Sequence, residues 1–185
     1  MSVIYAVLTS FSIGLSDFFA SSITKRTSPN EVTSATLLAG VVVMAVAAVF
    51  WSGDPTTSDL LYGAFAGAAN GVGILLYFVA FSRGSLRSTA PTAAVVMAGV
   101  PVVWDVLVLG SSLSTVTSIG LSIGVVAIAL SSYGGRNPDS GPTVLVTAVL
   151  AGVVFGILLI LLSYIGGDAG GSPLLLQRVV AFLIA

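Results

Sequence analysis

The stretch "TVLVTAVLAGVVFGILLILLSYI", residues 143 to 165, contains no charged residue from end to end. A helix needs about 20 consecutive apolar residues to cross the hydrocarbon core of a bilayer, because each residue advances it by about 1.5 Å. Three more windows reach this length with at most one charged residue each: Val3–Ser22, Glu31–Trp51 and Leu60–Phe81. The sequence therefore predicts an all-α polytopic membrane protein.

The composition supports this prediction and narrows the function. Of 185 residues, 56% are apolar and only 7% are charged, against about 25% charged residues in soluble domains. Cysteine and histidine are absent, which excludes disulfides, imidazole relays and the usual zinc sites. Scattered basic residues make no phosphate-binding stripe. We expect no enzymatic activity, no metal, no cofactor and no nucleic-acid partner, but contact with the lipid bilayer.

Seven hydrophobic segments divide the chain, and Gly, Ser, Pro and Asp are frequent in the joints between them. They lie at about 3–23, 31–51, 59–82, 89–109, 115–132, 143–165 and from 173 onward. Helix-start signals precede four of them: Ser28 to Glu31, Ser58-Asp59, Thr89 to Pro91 and Ser172-Pro173. Glycines four residues apart predict close helix packing in the third, fifth and sixth segments. We predict six full spans and a partial seventh.

The basic and acidic residues of the loops are predicted to lie on opposite sides of the membrane. Basic residues follow the odd-numbered segments: Lys25, Arg26, Arg83, Arg87 and Arg136. Acidic residues and no basic ones follow the even-numbered segments: Asp54, Asp59 and Asp168. By the positive-inside rule the odd loops would be cytoplasmic and the N-terminus outside.

The chain also shows an internal repeat. "VLTSFSIG" at 7–14 aligns with "VLAGVVFG" at 149–156, and Ser28-Pro29 aligns with Ser172-Pro173. The two copies are five segments apart. Since five is odd, the second copy begins on the opposite side of the membrane and is inverted, as in many secondary transporters.

Residues 77–127 read "YFVAFSRGSLRSTAPTAAVVMAGVPVVWDVLVLGSSLSTVTSIGLSIGVVA". This stretch resembles the EamA-type permeases of the drug/metabolite transporter superfamily. The matching positions are Tyr77, Ala80, Ala90-Pro91, Pro101, Leu109-Gly110, Leu113-Ser114 and Gly120. A Glu-Arg pair typical of the family is replaced by Ser111-Ser112, so any ion pair made by that loop is absent.

The resemblance implies ten spans in two inverted five-helix units, and transport of small organic metabolites or drugs by alternating access across the plasma membrane. Residues 1–136 would form the first repeat, and 137–185 the incomplete start of the second. We therefore expect the chain to be a fragment lacking about three spans. The family's usual cytoplasmic N-terminus conflicts with the charge bias, so orientation stays open. The alternative is a truncated or non-transporting membrane protein that acts as a scaffold or assembles with another chain; a homodimer is one such assembly.

Three ionisable residues fall inside predicted spans, where they are costly and usually functional. Asp17 shares one helical stripe with Ser10, Gly14, Ser21 and Thr24, which predicts a polar surface facing an aqueous pathway. A protonated Asp17 would suit proton coupling. The alternative is a carboxylate that reaches the Lys25-Arg26 pair.

Asp105 lies four residues after Pro101, and proline inside a helix predicts a kink. Asp105 and its neighbour Trp104 would then meet solute; alternatively, Asp105 caps the helix end near Gly110. Asp17 and Asp105 lie toward opposite faces, which disfavours an aspartyl protease, since that needs two carboxylates at one depth.

Arg178 has the same expected depth as Asp105, so we predict an Asp105–Arg178 ion pair, or an Arg178 that binds a solute anion beside Asp105. The alternative is an arginine that extends to the membrane surface. Asn70 and Tyr77 share a face of the third helix. They are expected either to line a cavity near the midplane or to bond to a neighbouring helix.

Overall fold

The computed structural model describes residues 2–112, 114–133 and 141–185, and every regular element within them is helical. The elements are α1 (Ser2–Ile23), α2 (Pro29–Phe50), α3 (Thr57–Arg83), α4 (Leu86–Leu107), α5 (Thr115–Tyr133), α6 (Pro142–Ser163), a 3₁₀ turn (Gly167–Ala169) and α7 (Ser172–Ile184). One helix corresponds to each predicted segment. Leu113, Arg136 and the predicted repeat boundary at 136/137 lie outside the described residues.

The start of α2 agrees with the sequence, and the start of α3 lies slightly upstream of the prediction. Ser28 is the N-cap of α2 and its hydroxyl accepts a hydrogen bond from the Glu31 N–H at 3.3 Å. Thr56, rather than Ser58, is the N-cap of α3 and forms a full capping box with Asp59. The Asp59 carboxylate, at the third position of the helix, accepts a hydrogen bond from the Thr56 N–H and so fixes the start of α3 here.

Helix α4 also begins upstream of its predicted start. The Ser85 carbonyl accepts the N–H groups of both Ser88 and Thr89, so the first turn forms before Pro91 is reached. The helix then continues through Pro91 and Pro101 to Leu107. The kink at Pro101 stays a prediction.

Four helices within the described ranges are long and apolar enough to cross a membrane by length and composition. They are α2, α3, α4 and α6. Shorter apolar stretches occur at Val7–Ile23, Thr115–Gly124 and Ser172–Ile184. The fold is therefore that of a polytopic helical protein, with four spans supported by these criteria rather than six.

Helix α3 is the centre of the bundle and packs along both α6 and α7. Three of its glycines, spaced four residues apart, face α7: Gly63, Gly67 and Gly71. A Cβ atom added to Gly67 would lie 2.5 Å from the carbonyl oxygen of Gln177, too close for any side chain. The predicted glycine face is thus a backbone-to-backbone contact between α3 and α7, the close approach that favours helix association in lipid.

Helix α6 makes a similar contact with α4. Added Cβ atoms on Gly152 and Gly156 would overlap Val96 and Val100 of α4. Helix α5 packs on the other side of α4, and α2 packs against α7. Helices α4 and α7 therefore lie on different sides of the central α3–α6 pair.

The loops after α2 and α6 are joined at the end of the bundle that carries the even-numbered loops. Three hydrogen bonds connect them: Asp54 N–H to the Asp168 carbonyl (3.0 Å), Gly171 N–H to the Trp51 carbonyl (2.9 Å) and Gly166 N–H to Asp59 Oδ1 (2.8 Å). Gly53 and Gly170 approach so closely that a Cβ on either would overlap the other's backbone, and Gly170 has a φ of 66°. We call this contact the even-loop clasp.

Helix α1 is at the edge of the bundle. Most of its apolar side chains are exposed, Phe11 by 70%, as expected for a surface that meets lipid. Only its C-terminal part is buried, where Ala20 packs against Phe78 and Phe81 of α3 with Leu86 of α4 alongside. Contact with α3 and α4 is therefore concentrated near the end of α1.

Candidate functional site

Asp17 and Tyr77, which the sequence marks separately, are brought together between α1 and α3. The Tyr77 hydroxyl donates a hydrogen bond to Asp17 Oδ2 at 2.9 Å. Asp17 is half-buried, and within the described residues its bonding partner is Tyr77 rather than Lys25 or Arg26. An ionisable side chain thus meets a hydroxyl inside an apolar bundle, where a polar partner offsets the cost of its burial.

Aromatic rings hold Tyr77 in position. Its ring centroid lies 4.3 Å from that of Phe81, and Phe155 of α6 presents an edge to it at 5.8 Å. Phe155 also fills the space beside Gly73 of α3. Phe155 was not among the predicted site residues, because an aromatic residue in a uniformly apolar helix gives no signal of its neighbours.

A shallow groove of about 420 Å³ runs along α1 and ends at Asp17. Its lining includes a stripe of hydroxyl residues: Tyr5, Thr9, Ser12 and Ser16. This stripe adjoins the predicted one, of which Ser21 and Thr24 are buried and bonded to carbonyls of their own helix. Tyr5, Thr9, Ser12 and Ser16 were not among the predicted site residues, although their spacing of three and four residues is visible in the sequence.

Asn70 lies at the middle of α3, 4% exposed, on the same face as Gly67. Its Nδ2 has no hydrogen-bond partner among the described residues. A buried amide without a partner is unfavourable, so Asn70 is a candidate to bond with a group from outside the described residues.

The predicted Asp105–Arg178 ion pair is wrong. Arg178 packs against α2, where its Cδ, Nε and Nη1 atoms would lie 3.5–3.8 Å from a Cβ on Gly40. Asp105 is exposed on α4, and α4 packs on α5 and α6 whereas α7 packs on α2 and α3. Equal depth along two helices does not make them neighbours.

Arg178 is half-buried beside the midpoint of α2. Within the described part of the chain its guanidinium makes no hydrogen bond or ion pair. Glycine at position 40 provides the space in which the arginine lies flat. A cation at this depth is costly and usually functional.

Asp105 borders a small polar hollow of about 180 Å³ at the loop after α4, together with Ser111, Ser112, Ser114 and Thr117. The Ser114 hydroxyl lies 2.9 Å from that of Thr117 and caps the start of α5 by accepting the Thr117 N–H. The serines that replace the family's Glu-Arg pair thus lie beside Asp105. Among the described residues, none lines both this hollow and the groove that ends at Asp17.

Trp104 lies at the end of an apolar groove of about 570 Å³ between α4 and α6. Its indole N–H donates to the Tyr164 hydroxyl at 3.3 Å, and the Tyr164 ring stacks on Tyr62 of α3 at 5.3 Å. Trp and Tyr with one polar end are typical of the membrane–water interface. Trp104 and Asp105 are therefore near the even-loop end, apart from Asp17 and Tyr77.

Within the described residues no group of three or more His, Cys, Asp or Glu could hold a metal ion. A family model described as the EamA-like transporter family matches residues 1–133. Neither the curated proteins nor the solved structures gave a match.

Proposed function

Because this chain belongs to the EamA-like transporter family, we propose that it moves small organic metabolites or drugs across the plasma membrane by alternating access. The family consists of membrane transporters of the drug/metabolite transporter superfamily. The chain is accordingly an integral multi-pass membrane protein that contacts lipid. Proton coupling of this transport is part of the proposal.

The proposed architecture is an inverted repeat with 1–136 as the first unit and 137–185 as the start of the second. The placement of α2 and α7 supports it, since both carry proline in their first turn and both pack beside α3. Helices α1 and α6 both flank α3 as well. In this scheme α1 to α6 would all span the membrane, and α7 would be the partial seventh span.

The hydrogen bond between Asp17 and Tyr77 is the observation that carries the proposal. It links the edge helix α1 to the central helix α3 through the ionisable side chain of α1. The groove along α1 gives solute or water a path to Asp17. A carboxyl group that binds a proton or a cationic group at this position would change the link between the two helices, as coupled transport requires.

The remaining candidates have distinct roles in the proposal. Asn70 and Arg178 offer hydrogen-bond donors that the described residues do not engage. Trp104 would contact solute in the apolar groove between α4 and α6, and Asp105 would do so in the separate polar hollow after α4. Pro101 would provide the kink.

A transport panel tests the proposal. Cells or proteoliposomes carrying the protein are assayed with labelled amino acids, other metabolites and cationic dyes, with and without a pH gradient. We expect Asp17→Asn to reduce transport by more than about tenfold, which corresponds to ~1.4 kcal/mol of lost interaction. Tyr77→Phe should reduce it less, because the carboxyl group remains.

Asp54→Asn is the matched control, since this loop aspartate uses its backbone N–H and not its side chain in the even-loop clasp. It should transport like the wild type. Full transport by Asp17→Asn at wild-type expression would contradict the assignment of Asp17. Transport of no panel compound by the wild type would favour the scaffold alternative.

A further inference from the structure

Four cations lie at the odd-loop end of the bundle, where α1, α3 and α4 meet. Two follow α1, one ends α3 and one lies in the first turn of α4: Lys25, Arg26, Arg83 and Arg87. The apolar cluster of Ala20, Phe78, Phe81 and Leu86 holds these helix ends together. We call the four residues the basic corner.

The charges of the basic corner are not neutralised within the described part of the chain. All four side chains are exposed, and none forms an ion pair there. The acidic residue described at this end is Glu31, which is exposed in the first turn of α2. The opposite end carries Asp54, Asp59 and Asp168 and, among the described residues, no cation. The molecule is thus electrostatically polarised along its axis.

A groove of about 540 Å³ at the end of α1 joins polar and apolar groups. It is lined by Ser22, Ile23, Lys25, Arg26 and Thr27. The backbone N–H groups of Arg26 and Thr27 both donate to the Ile23 carbonyl, so the turn is closed by its own backbone. The side chains of Lys25, Arg26 and Thr27 make no hydrogen bond to any residue that the structure describes.

The apolar wall of this groove continues along α1 into the span. Ile23 is 47% exposed and Phe19, one turn earlier, is 55% exposed. A molecule with an anionic head and an apolar tail would therefore meet both parts of the surface at once. Free phosphate would use only the charged part.

We propose that the basic corner binds the phosphate headgroup of an anionic phospholipid, whose acyl chain lies along Phe19 and Ile23. Lys25 and Arg26 are the main ligands, and Arg83 and Arg87 add charge across the same corner. Basic residues at a membrane surface attract anionic lipid by about 1 kcal/mol each. The site is separate from the solute path, since its residues do not include Asp17 or Tyr77.

Native mass spectrometry of the full chain released from nanodiscs tests this proposal. The bilayers contain phosphatidylcholine with an increasing fraction of phosphatidylglycerol of the same acyl chains. We expect wild-type protein to retain phosphatidylglycerol preferentially. Lys25→Gln/Arg26→Gln should weaken that preference by about fivefold for each charge removed, whereas Lys25→Arg/Arg26→Lys should keep it.

Two further variants test which charges bind the lipid. Glu31→Gln lies at the same end and should not weaken retention, because it removes a negative charge. Arg83→Gln/Arg87→Gln should weaken it less than the first pair, and this variant serves if the first does not fold. An unchanged preference for phosphatidylglycerol in the folded glutamine variants would overturn the proposal. Displacement of the lipid by glycerol phosphate would also overturn it, because that result would identify a site for soluble phosphate.

Discussion

Helices α1 and α7 both pack against α3, but they are attached in opposite ways. Helix α7 meets α3 through glycine faces, with Gly67 against the backbone of Gln177. Helix α1 meets α3 through the hydrogen bond from Tyr77 to Asp17 and an apolar cluster near its C-terminal end. Close backbone contact allows little displacement, whereas a hydrogen bond between side chains can break and reform. We therefore expect α1 to move relative to α3 with less loss of packing than α7.

Replacing a glycine of the α3–α7 contact should have the largest effect. We expect Gly67→Ala to destabilise the protein by ~1–3 kcal/mol, because the new methyl group must displace the backbone of α7. Gly14→Ala is the control, since a Cβ on Gly14 in α1 meets nothing within 4 Å. Thermal unfolding in detergent measures both. An equal loss of stability in Gly67→Ala and Gly14→Ala would mean that α7 is packed no more tightly than α1.

Breaking the even-loop clasp should have an intermediate effect. Asp59 accepts from the Thr56 N–H and hydroxyl and from the Gly166 N–H. We expect Asp59→Ala to lower the Tm by about 2–4 °C. Asp54→Ala, which leaves its backbone bond to Asp168 in place, should change the Tm little. A larger drop for Asp54→Ala would mean that the clasp does not depend on the Asp59 carboxylate.

Removing the link between α1 and α3 should have the smallest effect on stability. Interhelical hydrogen bonds in membranes contribute ~0.6 kcal/mol on average, so Tyr77→Phe should cost about that much. Tyr62→Phe is the control, since within the described residues the Tyr62 hydroxyl makes no hydrogen bond and its ring stacks on Tyr164. In detergent, the unfolding midpoint of Tyr77→Phe should lie slightly below that of Tyr62→Phe. A loss of stability in Tyr77→Phe as large as that in Gly67→Ala would show that α1 is held as firmly as α7.

The sequence was sufficient to locate the helices and several of their faces. Apolar length placed all seven segments, and four-residue glycine spacing found the α3 surface that contacts α7. The shared face of Asn70 and Tyr77 was also visible, because helical periodicity relates residues within one helix.

The sequence did not reveal which helices are neighbours. Arg178 and Asp105 have matching depths, yet α7 packs on α2 and α3 while α4 packs on α5 and α6. In a soluble protein, a polar face would show which side of each helix points outward. Helices α4 and α7 each present apolar residues on several sides, so the depth of Asp105 and Arg178 could be predicted but the rotation and the neighbours of their helices could not. The contacts of Tyr77 with Asp17 and Phe155 were missed for the same reason.

The even-loop clasp has a mechanical consequence. It joins the tips of two hairpins, α2–α3 and α6–α7, at the end of the bundle that carries the even-numbered loops. Because α3 also packs along α6 and α7, and α2 packs against α7, a displacement of one hairpin carries the other with it. Helices α1, α4 and α5 contribute no residue to the clasp and lie outside this unit.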